Sequence, residues 1–163
     1  MNQQKIINDP VYGFIQIPTG IIFDIIQHPI FQRLRRIKQL GLATLVYPGA
    51  EHTRFQHAIG AFYLMTKAIR VLQQKGIEIT AKEKEAAQLA ILLHDIGHGP
   101  FSHSLEGELL PFHHEVLTES ILELLNSTFD NKLSLAIQIF KGEYEKTFLH
   151  ELVSSQVDVD RLD

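Results

Sequence analysis

The chain is predicted to be mainly α-helical with a short N-terminal β hairpin or strand, and three observations carry that expectation. Residues 1 to 18 mix β-branched side chains with turn formers (Asn8-Asp9-Pro10, Gly13, Pro18), so VYGFIQI reads as extended. From Gly20 onward the apolar residues recur at helical spacing. No repeat, low-complexity tract or linker interrupts the 163 residues, a length that one hydrophobic core can serve without covalent staples.

Taken in order, short helices are expected at 20 to 27 and 29 to 38, then a loop through Gly41, Pro48 and Gly49. Longer helices follow at 53 to 75 and 81 to 96, the second broken by Gly97 and Gly99. Further helices are expected near 102 to 108, 113 to 126, 132 to 140 and 147 to 155. The last residues, SSQVDVDRLD, stop on charged side chains without a helix stop signal, so the chain looks cut short.

With 45% hydrophobic and 21% charged residues the composition is that of a folded globular protein. The absence of cysteine excludes disulfides and thiolate ligands, so a metal site here must be built from imidazole and carboxylate. MNQQKIINDP lacks the pattern of a signal peptide and no apolar run is long enough to cross a bilayer, so a cytoplasmic protein with no membrane partner is expected. A net charge of −4 argues against broad binding to nucleic acid. The charge is uneven, however: Arg33, Arg35, Arg36 and Lys38 form a basic strip that either meets phosphate or is a solvated helix face.

Five of the nine histidines (His94, His98, His103, His113 and His114) fall between positions 94 and 114, and such density raises the odds of a site. At 100° per residue, Ala87, Ala90 and Ile91 lie beside His94, so His94 points inward at a helix end whose dipole favours a cation. His57 shares a sector with Ala61, Leu64, Ala68 and Val71, while Gln56, Tyr63, Lys67, Arg70 and Gln74 line another. Two inward histidines with Asp95 give three nitrogen and oxygen ligands, and Asp160 can supply a fourth, leaving positions open for water. Arg54 lies one turn before His57 and can face the same pocket. Blander readings stand beside these: a core histidine for His57, an acidic tail or helix cap for Asp158, Asp160 and Asp163, and surface ion pairs for Arg54 and Arg161. His98 and His103 can cap loops, and His113 and His114 can open a helix where Glu115 suits the dipole.

Together EHTRFQHAIG, LLHDIGHGPFSHSLE, FHHE and SSQVDVDRLD resemble the HD-domain deoxynucleoside triphosphate triphosphohydrolases, the dGTPase-like group. INDPVYGFIQI and FQRLRRIKQLG look like that group's N-terminal segment, so the resemblance spans almost the whole chain in order. It implies an HD-domain helical core in which His57, His94, Asp95 and Asp160 hold one divalent metal, with iron, manganese and zinc all suited and additional magnesium compatible. It implies that Arg54 and Arg161 contact the triphosphate, and that Gln39 and Leu40 meet the sugar and disfavour a ribose 2′-hydroxyl. His98 and His114 match histidines that serve proton transfer, and Glu106 stands where relatives often have an aspartate that orients the second of them. In that group water attacks the α-phosphorus of a deoxynucleoside triphosphate, releasing deoxynucleoside and triphosphate, and the full-length proteins assemble as homo-oligomers. Gln27 departs from the acidic residue of some nucleotide-activated relatives. HD sites also hydrolyse other phosphate esters and diesters, and a non-catalytic nucleotide-binding core with strip 33 to 38 as its contact surface is the remaining alternative.

Overall fold

The computed structural model describes residues 5 to 101 and 113 to 163. Strands β1 (Lys5–Asp9) and β2 (Gly13–Ile17) pair antiparallel with Lys5 opposite Ile17, giving the expected hairpin. Its turn is closed by Asp9, whose Oδ1 accepts from the N–H groups of Val11 (2.8 Å) and Tyr12 (2.9 Å), and by Gly13 at φ 72°. Ile15 and Ile17 then face the core while Phe14 and Gln16 face outward, the alternation a half-buried strand imposes.

Helices α1 (Ile21–Gln27) and α2 (Pro29–Gln32) follow, but the helix expected through 38 tightens into a 3₁₀ turn at Arg33–Arg36 and stops. The cause is a competing set of backbone bonds. The Ile37 carbonyl accepts from Arg54 N–H (2.8 Å) and Gln39 N–H donates to the His52 carbonyl (3.0 Å), so the chain extends to pair with the segment entering α3. A second 3₁₀ turn, Gly41–Leu45, occupies the expected loop.

Helices α3 (Arg54–Gln74) and α4 (Ala81–Leu93) each open on a capping box, Thr53 with Gln56 and Thr80 with Glu83. The first half of α3 is buried all round, from Phe55 to Phe62 except Gln56, whereas the inward stripe projected from His57 reaches the surface by Val71, 46% exposed. Helix α4 ends at Leu93, earlier than expected, because Ile96 N–H turns back to Leu93 and His98 N–H to Asp95. The helix expected at 102 to 108 lies outside the described residues. Helices α5 (His114–Thr128), α6 (Ser134–Lys141) and α7 (Thr147–Val153) match expectation within two residues. The closing helix α8 (Val159–Leu162) was not anticipated; Asp158 caps it, its Oδ1 accepting from Arg161 N–H at 2.8 Å. Helix α4 packs between α3 and α6, and α8 folds back onto α3. No helix among the described residues is long and apolar enough to cross a membrane.

Glu83 fastens the start of α4. Only 4% exposed, it accepts from Thr80 N–H (2.7 Å), Tyr144 O–H (2.7 Å) and Lys146 Nζ (2.8 Å). Burial opposes its charge, but Lys146 and the Thr80 and Tyr144 bonds outweigh it and draw the carboxyl down to about 2. Glu83→Gln is expected to lower unfolding free energy by about 2 kcal/mol at neutral pH, through loss of charge-assisted bonds. The folded carboxyl is the more acidic one, so this contribution is present above the ordinary carboxylate range and fades as pH falls toward about 2. Denaturant melts of both proteins at pH 7 and pH 3 check it, with the gap narrowing at the lower pH.

Candidate metal centre

The first turns of α3, the end of α4 and the short α8 converge on one point. His57 Nε2 lies 2.7 Å from Asp160 Oδ1, and His94 Nε2 lies 3.1 Å from the same oxygen. The far nitrogen of each ring is also anchored. His57 Nδ1 donates to Asp163 Oδ2 at 2.9 Å, and His94 Nδ1 donates to the Ile91 carbonyl at 2.6 Å. In the neutral rings, these Nδ1–H bonds leave the Nε2 lone pairs facing the common point. Asp95 borders that point, Oδ1 at 3.6 Å from His94 Nε2 and Oδ2 at 4.0 Å from His57 Nε2. Its carboxylate also pairs with Arg54 Nη1 and meets His98 Nε2 at 3.3 Å. The His98 ring stacks on His114, centroids 3.8 Å apart and planes 16° from parallel.

Backbone close to the site is packed without slack. A Cβ on Gly60 would strike the Asp163 carboxylate, so glycine on α3 lets the end of α8 approach. A Cβ on Gly97 would strike Thr118 and the backbone carbonyl of His114, which is how the turn after α4 seats on α5. Thr118, fully buried, accepts from Gly97 N–H at 3.1 Å. From the other side Arg33 donates to the Ile96 carbonyl and, at 2.7 Å, to the His98 carbonyl. The basic strip therefore divides, with Arg33 turned onto backbone and Arg35 and Arg36 exposed to solvent. Arg33 clamps the HDIGH turn, the Arg35 guanidinium covers the Phe55 ring at 3.6 Å, and Lys38 pairs with Glu51 at 2.6 Å.

Of the residues the sequence singled out, His57, His94, Asp95, Asp160, Arg54, His98 and His114 come together here. Gln39 lines a neighbouring cavity of about 380 Å³ with His57, Asp163 and Tyr12. Leu40 stands 52% exposed, and Arg161, its side chain 65% exposed, donates to the Gln156 carbonyl at 3.2 Å. Glu106 and His103 lie outside the described residues. Sequence reasoning missed Thr118 and Tyr12, the grip of Arg33 on the turn after α4, and the inward role of Asp163. A weak signal existed only for Thr118, one turn beyond His114 on the same helix face.

Residues 54 to 156 match the HD domain. The chain belongs to the HD-domain family. Asp160 lies just past the matched region, so the HD-domain core and its flank both contribute to the cluster. YwfO of Bacillus subtilis (strain 168), an uncharacterized protein, is 35% identical over all of this HD-domain chain and 39% of its own length. The human deoxynucleoside triphosphate triphosphohydrolase SAMHD1 is 33% identical over all of this chain and 32% of its own. The crystal structure of a phosphohydrolase from Bacteroides thetaiotaomicron VPI-5482 superposes with a TM-score of 0.97 at 60% identity, covering 99% of this chain and 40% of that one. The chain thus spans about two fifths or less of the length of each of these relatives.

The donor set suits a divalent ion. One nitrogen from each of His57 and His94 and one oxygen from Asp160 lie within 4.8 Å of one another, and the anchored Nδ1 atoms orient both rings toward that space. Burial opposes a charge on His57, but the hydrogen bonds it donates to Asp160 and Asp163 outweigh that and raise the imidazole to about 9. Burial likewise opposes charge on His94, and Asp95 with Asp160 moves it up. Asp95 and Asp160 stay far below the carboxylate range despite burial, held by His94, His98 and Arg54 in one case and by His57 and His94 in the other. His98 shifts down, first through burial and then through Arg54 and His114, against the pull of Asp95.

An ion entering this site must displace the His57 proton below about pH 9, so apparent metal affinity is expected to rise with pH up to that value, roughly tenfold per pH unit for each proton released. Calorimetric titration with manganese in buffers of different ionisation enthalpy reads the proton count directly. Gly97→Ala is expected to cost about 3 kcal/mol or more, since the new methyl meets backbone of His114 and Thr118 and the buried Thr118 hydroxyl, none of which is the far end of a flexible side chain. Thermal melts check the loss of stability, and a variant as stable as the parent would contradict the close seating of this turn.

Proposed function

We propose that the chain carries the active site of a metal-dependent phosphohydrolase that converts deoxynucleoside triphosphates to deoxynucleoside and triphosphate, with residues 1 to 163 acting as one HD-type domain. The observation that carries this reading is the shared position of the His57, His94 and Asp160 donor atoms beside Asp95, Arg54 and the stacked His98–His114 pair. Relatives named as deoxynucleoside triphosphate triphosphohydrolases support it.

His57, His94, Asp95 and Asp160 would hold one divalent ion, which when bound supplies Lewis-acid charge and a more acidic water. Arg54, 3% exposed and fixed by Asp95, neutralises charge on the phosphoryl oxygens from a preorganised position. Gln39 and Leu40 meet the sugar, Gln39 from the cavity it shares with His57. Arg161 takes the outer phosphates by swinging from the Gln156 carbonyl. Attack of water on the α-phosphorus breaks the bond to the 5′ oxygen, so the water oxygen leaves with the triphosphate. The 5′ oxygen needs a proton to depart, and in this reading the stacked His98–His114 pair delivers it.

Chromatographic product analysis with a deoxynucleoside triphosphate and manganese is expected to yield triphosphate and deoxynucleoside in equal amounts. Release of orthophosphate or pyrophosphate instead would overturn the substrate reading. His94→Ala is expected to lose bound metal and to lower kcat by more than the roughly 10- to 100-fold typical of removing an outer-shell partner. A purified parent chain without stoichiometric divalent metal, together with a His94→Ala variant that keeps full ligand binding, would favour a non-catalytic core.

A further inference from the structure

A second cavity, of about 460 Å³, opens between β2, α3 and α4, and its wall includes Phe14, Tyr63, Lys67, Arg70, Lys84 and Gln88. It shares no lining residue with the cavity beside His57. Lys67 and Arg70 stand ten and thirteen residues past His57 on α3, about 15 and 20 Å along the helix axis. The two sites are therefore separate.

The lining contains three cationic side chains and no carboxylate, in a chain whose acidic residues outnumber Lys and Arg by 19 to 15. None of Lys67, Arg70 and Lys84 makes an ion pair among the described residues. Lys67 and Arg70 lie one turn apart on one helix, a like-charge spacing that costs stability. Lys84 adds a third charge from α4. The walls are held together: Gln88, 5% exposed, donates from Nε2 to Thr66 Oγ1 at 2.8 Å and ties α4 to α3. Lys67 Nζ rests over the Tyr63 ring, 4.5 Å from its centroid. Phe14, 75% exposed, presents an apolar ring at the same cavity.

We propose that this cavity binds an oligophosphate anion. Three converging cations match the charge of two or three linked phosphates better than a single carboxylate. An arginine fork and two lysines supply planar and point-charge donors for phosphate oxygens. The volume falls in the range of small-molecule sites and exceeds the needs of one phosphate. The oligophosphate arrives free or as the tail of a nucleotide, in which case the base stacks on Phe14.

The test is an NMR titration of the isotope-labelled chain with inorganic triphosphate in EDTA, so that neither metal binding nor turnover contributes and a failed hydrolase assignment would leave it untouched. Saturable shifts are expected at the Thr66, Lys67, Lys84 and Gln88 amides. Lys67→Glu combined with Arg70→Glu, both exposed positions, is expected to weaken that affinity about tenfold or more while leaving the melting temperature and the titration shifts at His57 and His94 unchanged. Lys84→Gln, on the other helix, should weaken it severalfold and serves if the double variant folds poorly. Absence of saturable shifts, equal affinity in the charge variants, or sulfate binding as tightly as triphosphate would overturn the proposal. A nucleoside triphosphate that binds more tightly than free triphosphate, with Phe14→Ala abolishing the difference, identifies a nucleotide; equal binding identifies the free oligophosphate.

Discussion

Charge compensation at one buried point is the constraint that the rest of this structure accommodates. Asp95, Asp160 and Asp163 crowd around His57, His94 and Arg54 where α3, α4 and α8 meet. A carboxylate removed from water without a partner costs several kcal/mol, so this cluster exists only if positive charge is supplied. Two protons on the imidazoles supply it, and one divalent cation supplies the same amount. The helices are oriented to help. The positive N-terminal end of α3 lies beside the carboxylates, and the negative C-terminal end of α4 carries His94.

Rigidity around that point follows from contacts that carry no catalytic chemistry themselves. Both imidazoles are held by their outer nitrogens, so ring rotation would break a hydrogen bond. Asp163 is in turn restrained by Tyr12 from the hairpin turn, whose phenol rises to about 12 through burial and its hydrogen bond to that carboxylate. Arg33 and Thr118 grip the turn after α4 from opposite sides, which fixes Asp95 and His98 relative to His94. Metal sites depend on such outer partners for ligand orientation, and here four separate segments provide them.

Helical periodicity made His57 and His94 readable, because burial on an α-helix repeats every turn and a polar residue on the apolar side stands out. The clustering of histidines after position 94 made the turn HDIGHGP readable as a site. Asp160 is harder. It lies 66 and 103 positions from the imidazoles it meets, and only the return of α8 onto α3 brings it there. The letters DVDRLD fit an exposed tail equally well, and they divide in the fold: Asp158 caps a helix, Asp160 faces the imidazoles, Asp163 buttresses one of them. Within the basic strip Arg33 alone was unreadable, for a related reason. Charge runs usually read as surface, yet the break from helix to 3₁₀ at Arg33 rotates that one guanidinium onto backbone carbonyls.

The residues that complete the site come from outside the matched core as much as from within it. Tyr12 and Gln39 precede the region 54 to 156, and Asp160 and Asp163 follow it. Metal coordination by an HD core is compatible with many phosphate substrates, so selectivity has to reside in whatever shapes the space beside the ion. In this chain that space is walled by the hairpin turn and by Gln39, held in place because Gln39 and Ile37 bond to the backbone just ahead of α3. The early termination of the second helix thus has a function within the fold. It exchanges one more turn of α-helix for a backbone pairing that sets the cavity wall formed by Gln39 against the first turn of the helix bearing His57.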